Sequence, residues 1–393
     1  MIKYINRNAS KKISKYFTAF PAIALLGPRQ CGKSTLANKM ISENNNWIYL
    51  DLEKASDMRK LNDPELYFSS IGDKSVCLDE IQLRPKLFPE LRSIIDIRKR
   101  NGQLLILGSA SPAIIRQSSE SLAGRIGFIE LTPFTMSELY NEDDYSINNH
   151  WFKGGFPRSW LLNNELSNEW RDNFIKTYLE RDIPSLGFNI TSSQVHRLLK
   201  MIAHSQGQVF NASKLSESLG INRNSLKKWV DILSQTYMVR ILLSYEGNLK
   251  KRLIKSPKVY IRDSGILHTL LEIDNFETLI GHPSFGSSWE SMAIENIIAE
   301  YSKYTPSFYR STNGAEIDLV LSKGTKKIAF EFKASTSPTV SKGFYYAIKD
   351  LEADQAFLVI PKGESYPIKK GITVISLEEL LRANDSIKSG MQT

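Results

Sequence analysis

The residues best suited to chemistry in this chain are Gly27, Pro28, Arg29, Gln30, Cys31, Gly32, Lys33, Ser34 and Thr35, whose order fits G-x-x-x-x-G-K-[ST]. In such a loop the backbone amides point inward around a phosphate chain, and the following helix presents its positive end to it. Lys33 can reach the β- and γ-phosphates, and Ser34 can ligate Mg²⁺. Further along, Val76-Cys77-Leu78-Asp79-Glu80 is an apolar run closed by two acids. Asp79 would stand in the Mg²⁺ shell and Glu80 would polarise an attacking water. Ser109 follows the run Leu104-Leu105-Ile106-Leu107 and would face the γ-phosphate if that strand lay beside the loop's own strand; otherwise it is a helix-capping serine. Arg125, before the run Ile126–Leu131, would complete a neighbouring subunit's site as an arginine finger, or else form a surface salt bridge.

A second set of charged residues lies near the C-terminus. Glu316-Ile317-Asp318-Leu319-Val320-Leu321 and Phe330-Glu331-Phe332-Lys333 alternate polar and apolar residues as half-buried strands do. Asp318, Glu331 and Lys333 fit D-x(n)-E-x-K, the pattern of restriction-like nucleases. The carboxylates, with Glu290 from the preceding helix, would hold Mg²⁺ against a scissile phosphate while Lys333 steadied the water. The alternative is a cross-strand salt-bridge cluster.

The chain has 51 Lys and Arg against 42 Asp and Glu, a net charge of +9. From Ile190 to Tyr260 there are 12 bases and 3 acids, so this one segment carries the whole excess and the remainder balances. A localised excess of this kind argues for a polyanion-binding face. Within it, Asn222–Leu233 reads as a helix with Arg223, Lys227 and Lys228 on one face and Leu226, Trp229, Ile232 and Leu233 on the other. Such a helix can enter a DNA groove with its cations on phosphates. Lys250, Lys251, Arg252, Lys255 and Lys258 would add charge just beyond. The alternative is a protein-docking module with a solvated basic face.

The elements that must position these residues can be read in outline. Short apolar strands alternate with helices through residue 135, which predicts a parallel sheet covered on both faces. Residues 136–190 read as helical. From 191 to 255 the order is helix, turn, helix, strand, as in a winged helix, and 256–393 is again α/β. The run Tyr16–Leu26 mimics a signal peptide, but it contains Pro21 and feeds straight into the phosphate loop, so it reads as a core strand. No apolar stretch reaches the length of a membrane span. Cys31 and Cys77 belong to no metal-ligand spacing, which suggests a reducing, cytoplasmic setting.

Together the loop, the Asp79-Glu80 strand end and Arg125 resemble the AAA+ ATPases, more narrowly their STAND-like branch. Gly154-Gly155-Phe156-Pro157 resembles that branch's glycine-x-proline motif, which implies that Pro157 packs near a nucleotide base. The order of segments is similar to a prokaryotic group of ATP-binding proteins with an AAA-type module, a winged helix and a C-terminal restriction-endonuclease-like domain. Leu131–Leu139, Tyr178–Asp182 and Val259–Gly265 look like signatures of that group. The fold this implies is α/β: a P-loop AAA-type parallel sheet (1–135), a helical lid (136–190), a winged helix (191–255) and a C-terminal α/β nuclease-like domain (256–393). The implied cofactors are ATP and Mg²⁺ and the implied activity is ATP hydrolysis; the basic segment would couple it to DNA binding, and a finger at Arg125 implies a homo-oligomer. A competing expectation is a slow nucleotide-gated switch that binds protein and does not cut DNA. A phosphotransferase is disfavoured, because Glu80 suits water activation and no acceptor pocket is evident.

Overall fold

The computed structural model describes residues 3–44, 46–109, 120–185, 190–247 and 253–383; the expected basic residues Lys250, Lys251 and Arg252 lie outside them. Two compact units are present. One runs to Phe134 and includes Gln235–Tyr237; the other takes Thr135–Ser234 and resumes at Met238.

The first unit is built on five parallel strands: β1 (Ala22–Gly27), β2 (Trp47–Asp51), β3 (Ser75–Asp79), β4 (Leu104–Ser109) and β5 (Ile126–Glu130). Their order is β2-β3-β4-β1-β5. Each strand of this kind must bury both faces, because parallel strands are joined by crossover helices. β1 is buried along its whole length. Ala22, Ala24 and Leu26 pack on one side with residues of the helices Pro64–Ser70 and Leu87–Arg98, while Ile23 and Leu25 pack on the other with Ile13, Leu36 and Ala37. The expected continuous strand from Tyr16 does not form. Helix Asn8–Phe17 ends there and β1 begins only after Pro21, whose missing amide suits a break before the strand.

In the second unit the short helix Met136–Leu139 comes first, then the helices Ile147–Lys153, Pro157–Leu161 and Asn164–Thr177, the last running on through a π-helical turn at Tyr178–Asp182. Three more helices follow (Ser192–His204, Ala212–Leu219 and Arg223–Gln235), then β6 (Val239–Leu242) antiparallel to β7 (Lys258–Ile261). The rest is a mixed six-stranded sheet in the order β12-β13-β11-β10-β9-β8. Its strands are β8 (Thr305–Arg310), β9 (Glu316–Lys323), β10 (Lys326–Phe332), β11 (Gln355–Ile360), β12 (Tyr366–Lys369) and β13 (Ile372–Ser376). The stretches expected as separate lid, winged-helix and C-terminal segments contribute to one hydrophobic core, from Met136 and Trp151 through Leu226 and Tyr260 to Phe330 and Leu381. No helix among the described residues is long and apolar enough to cross a membrane.

At the centre of this core, Trp151 Nε1 donates to Ser288 Oγ (2.8 Å), and Ser288 Oγ meets His268 Nε2 (2.6 Å). His268 Nδ1 lies 3.0 Å from the Phe152 carbonyl. A neutral ring that donates from Nδ1 and accepts at Nε2 satisfies every group. Burial pushes the imidazole down to about 3 from its usual 6.5. Below pH 6.5 the unfolded chain therefore binds a proton that the folded chain refuses, so stability falls with falling pH. Urea unfolding of the second unit is expected to lose about 2 kcal/mol from this group between pH 7 and pH 5. His268→Gln should remove that part of the slope, whatever it costs in stability at neutral pH.

Candidate functional site

Parallel strands end on one edge of a sheet, and in open α/β sheets that edge is where ligands bind. Here β4 lies between β3 and β1, with Gly27 in register with Ser109 and Leu78 with Ile106. Gly27, Ser109 and Asp79 therefore close three successive strands at one edge, and Ser109 stands beside the loop's strand as its expected role required. β1 cannot carry a side chain at Gly27, because a Cβ there would sit 2.2 Å from the Leu131 carbonyl oxygen. The loop turns through left-handed Gln30 (φ 60°) and Gly32 (φ 98°) into the helix Lys33–Ser42. Only the glycine adopts such a backbone without steric cost.

Lys33 is 6% exposed. Its Nζ donates to the carbonyls of Gly27 (3.1 Å) and Pro28 (2.8 Å), and among the described residues no carboxylate forms an ion pair with it. A buried ammonium held by neutral oxygens at a helix N-terminus is a cation without a counter-ion, and the unused helix amides beside it favour an anion. The loop is also braced from behind. Arg7, buried and lying over the Phe134 ring, donates to the carbonyls of Cys31 (2.8 Å) and Thr132 (2.6 Å). Nothing in the local sequence marks Arg7, since its partners are backbone oxygens far along the chain.

Asp79 is 4% exposed and accepts from the Glu80 amide (2.9 Å) and from the Tyr49 hydroxyl. Tyr49 reaches it because β2 pairs with β3 in register Tyr49 to Cys77 and Asp51 to Asp79. The Ser34 hydroxyl lies near the same phenol and partly offsets the hold on its proton. Tyr49 thus joins the two expected Mg²⁺ ligands, and its own proton is held tightly by burial and by Asp79. Glu80 takes a left-handed backbone (φ 56°) and its carboxyl accepts from Gln82 Nε2. Burial, then the charge of Asp79, pushes the Glu80 carboxyl up, against the weaker pull of Lys33 and Arg29. Ser34 is half-buried and Thr35 is exposed. The donor set fits a nucleoside triphosphate with Mg²⁺: Lys33 and the loop amides for phosphate oxygens, Ser34 and Asp79 for the ion.

Of two further expected participants, Arg125 lies elsewhere in the first unit and Pro157 lies in the second. Arg125 precedes β5, and its carbonyl accepts from Ala22 N at the start of β1, the sheet edge opposite the loop. Its guanidinium makes a two-pronged ion pair with Asp96 (2.7 and 2.9 Å). In this chain it is the surface salt bridge and no part of the chain's own loop site. Pro157 belongs to the second unit, where it opens the helix Pro157–Leu161. The preceding glycines are held by Asp263, which accepts from the Gly155 amide (2.8 Å) and caps the helix Ser264–Leu270 through the Ile266 amide (2.9 Å). A Cβ at Gly154 would strike the Asp263 carboxylate at 2.2 Å. Here the glycines serve this close approach.

The carboxylates of the second unit are brought together, but around a lysine. Lys258, expected as surface charge, is 1% exposed. Its Nζ stands 3.4 Å from Glu290, 3.0 Å from Glu316 and 3.3 Å from Asp318. Tyr260 donates to Glu290 (2.5 Å), Phe332 N donates to Asp318 (3.2 Å), and Glu331 pairs with Lys333 (2.6 Å). Between β8 and β9 the register shifts, four residues from Ile317 to Val320 facing three from Ser307 to Tyr309, so the bulge falls at Asp318-Leu319. Bulges re-aim side chains in this way. Among the described residues no group of three or more His, Cys, Asp or Glu is placed to hold a metal. The expected Mg²⁺ set of Glu290, Asp318 and Glu331 is therefore corrected: as arranged, these residues do not fit a divalent ion, and form the salt-bridge cluster instead. Arg223, Lys227 and Lys228 are exposed on the helix Arg223–Gln235, which buries Leu226, Val230 and Leu233.

Residues 19–140 match the family described as an AAA domain. Residues 144–277 and 285–380 match two domains of unknown function, DUF8612 and DUF4143. Over 376 residues the chain is 33% identical to the uncharacterized protein Rv2008c of Mycobacterium tuberculosis, a match spanning 95% of this chain and 84% of that protein. Mb2031c of Mycobacterium bovis matches to the same extent. The chain belongs to the family of these proteins. Among solved structures it is similar to a Walker-type ATPase of Pyrococcus abyssi (16% identity, 68% of this chain and 96% of that one, TM-score 0.48). It is also similar to a STAND protein with a tetratricopeptide repeat sensor of Pyrococcus horikoshii (13% identity, 76% and 49%, TM-score 0.31). The AAA-domain match over residues 19–140, with the phosphate loop at the end of β1, makes the first unit of this family member an AAA-type P-loop ATPase-like domain.

Tyr49→Phe tests the link between the two ligands. It leaves the buried Asp79 carboxylate short of one donor, a loss of about 1–3 kcal/mol. Chemical unfolding should show the first unit destabilised by that amount, with its circular dichroism unchanged.

Proposed function

We propose that this chain binds ATP with Mg²⁺ and hydrolyses it, and that the nucleotide state controls DNA binding by the second unit. The observation that carries the first part is Lys33, buried and without a carboxylate at the mouth of the loop. Ser34 and Asp79 would hold Mg²⁺, which when bound would supply neutralisation of charge on the phosphates. On nucleotide entry Lys33 exchanges the carbonyls of Gly27 and Pro28 for phosphate oxygens. The loop amides from Arg29 to Thr35 line the phosphates, while Ser34 and Asp79 hold the ion. Glu80 accepts the proton of the attacking water, and Ser109 orients that water. The elevated Glu80 carboxyl is a stronger base than an ordinary surface carboxylate, which suits proton abstraction.

Lys33→Ala should reduce ATP affinity at least tenfold by equilibrium titration. Glu80→Gln should bind ATP as the parent does but hydrolyse it on the order of 100-fold more slowly. Undiminished binding by the Lys33 variant would remove the loop from the mechanism.

For the second part, three helices followed by an antiparallel strand pair support a winged-helix reading. The exposed cations of Arg223, Lys227 and Lys228 would lie on phosphates. Replacing all three with glutamate should weaken binding of duplex DNA by more than tenfold and flatten its dependence on salt, read by fluorescence anisotropy at several ionic strengths. Equal affinity in the triple variant would favour the protein-docking switch. The lysine among the second unit's carboxylates favours a role for that unit without DNA cutting.

A further inference from the structure

We propose that Lys258 is a built-in cation standing where a divalent metal would stand, so that the carboxylate centre of the second unit grips its own strand β7 and takes no Mg²⁺. The inference concerns the second unit and is independent of the nucleotide reading.

The distances argue for it. An ammonium has three N–H groups, and Nζ of Lys258 meets three carboxylates at 3.0–3.4 Å. Mg²⁺ draws oxygens to about 2.0–2.1 Å in an octahedron and keeps several waters. Other oxygens of the set are engaged too: the Phe332 amide holds Asp318 Oδ2, Arg310 lies 3.6 Å from Glu316 Oε2, Lys333 holds Glu331 Oε1, and Tyr260 Oη donates to the same Glu290 Oε1 that faces the lysine. Glu331 Oε2 is buried without a partner, but the point on which the Glu290, Glu316 and Asp318 carboxylates converge is already filled by the ammonium.

Chain topology keeps the lysine there. Lys258 begins β7, whose pairing with β6 sets its register, and it also bridges to Val209. Beside that bridge, a Cβ at Gly207 would lie 3.3 Å from Glu290 Oε2, so the segment before Val209 closes over the centre. The same ammonium lies 5.7 Å from the centroid of the buried Phe308 ring. A long side chain with an apolar stem and a charged tip fills this place, and the cluster thereby ties the β6–β7 pair to the mixed sheet.

The test is Mn²⁺ titration of the full chain without nucleotide, free Mn²⁺ being read by electron paramagnetic resonance. The wild-type chain and Asp318→Asn should give the same isotherm. Lys258→Ala should gain a site at least tenfold tighter than any in the wild type, and Lys258→Ala with Asp318→Asn should lose it. A folded Lys258→Ala chain that gains no site would overturn the proposal, as would wild-type Mn²⁺ binding that Asp318→Asn abolishes. If Lys258→Ala does not fold, the wild-type and Asp318→Asn comparison still decides. Mg²⁺-dependent plasmid nicking gives an independent reading: none is expected, and nicking lost in Asp318→Asn would count against the built-in cation.

Discussion

The alignment of strand ends in the first unit is the constraint from which its site follows. Parallel pairing sends every strand toward the same edge, and the order β2-β3-β4-β1-β5 makes β1, β4 and β3 neighbours. Gly27, Ser109 and Asp79 then close those strands side by side, although they are far apart in the chain. Covering both faces with helices excludes water from the strands. A strand order that separated β1, β4 and β3 would leave the same motifs intact and the site unassembled.

Two buried lysines show how partners decide the use of a charge. Lys33 rests on carbonyl oxygens, which satisfy its N–H groups but do not neutralise it. Lys258 rests among carboxylates that over-neutralise it, and burial with the charge of Asp318 raises Glu290 to about 7 despite the lysine. The first arrangement is completed by an anion. The second is closed on itself, since a buried charge that has lost its partner is costly to leave unpaired. Each lysine sits where strand pairing or a loop turn places it, and neither has freedom to sample both situations.

Supporting residues extend this logic. Arg7 braces the phosphate loop through two backbone carbonyls, and Tyr49 spans Ser34 and Asp79 from an adjacent strand. In the second unit Asp263 joins the Gly154-Gly155 turn to the helix Ser264–Leu270. Two of the segments that resemble family signatures therefore meet in space. The glycines of the first are explained by the close approach of a carboxylate, and Pro157 suits the first position of its helix, where no amide is needed.

The phosphate loop, the acid-ended strand and the alternation of strands with helices were legible from the chain alone, because each is a local pattern. Glycine spacing, side-chain period and the position of acids after apolar runs are properties of neighbouring residues. The exposed face of Arg223, Lys227 and Lys228 was legible for the same reason. Arg125, Lys258 and the C-terminal carboxylates were not. An arginine before a strand, or a lysine in a basic stretch, reads identically whether it meets solvent, Asp96 or three carboxylates from distant elements. Long-range strand pairing and the β9 bulge decide that, and they depend on contacts between segments that no local pattern encodes.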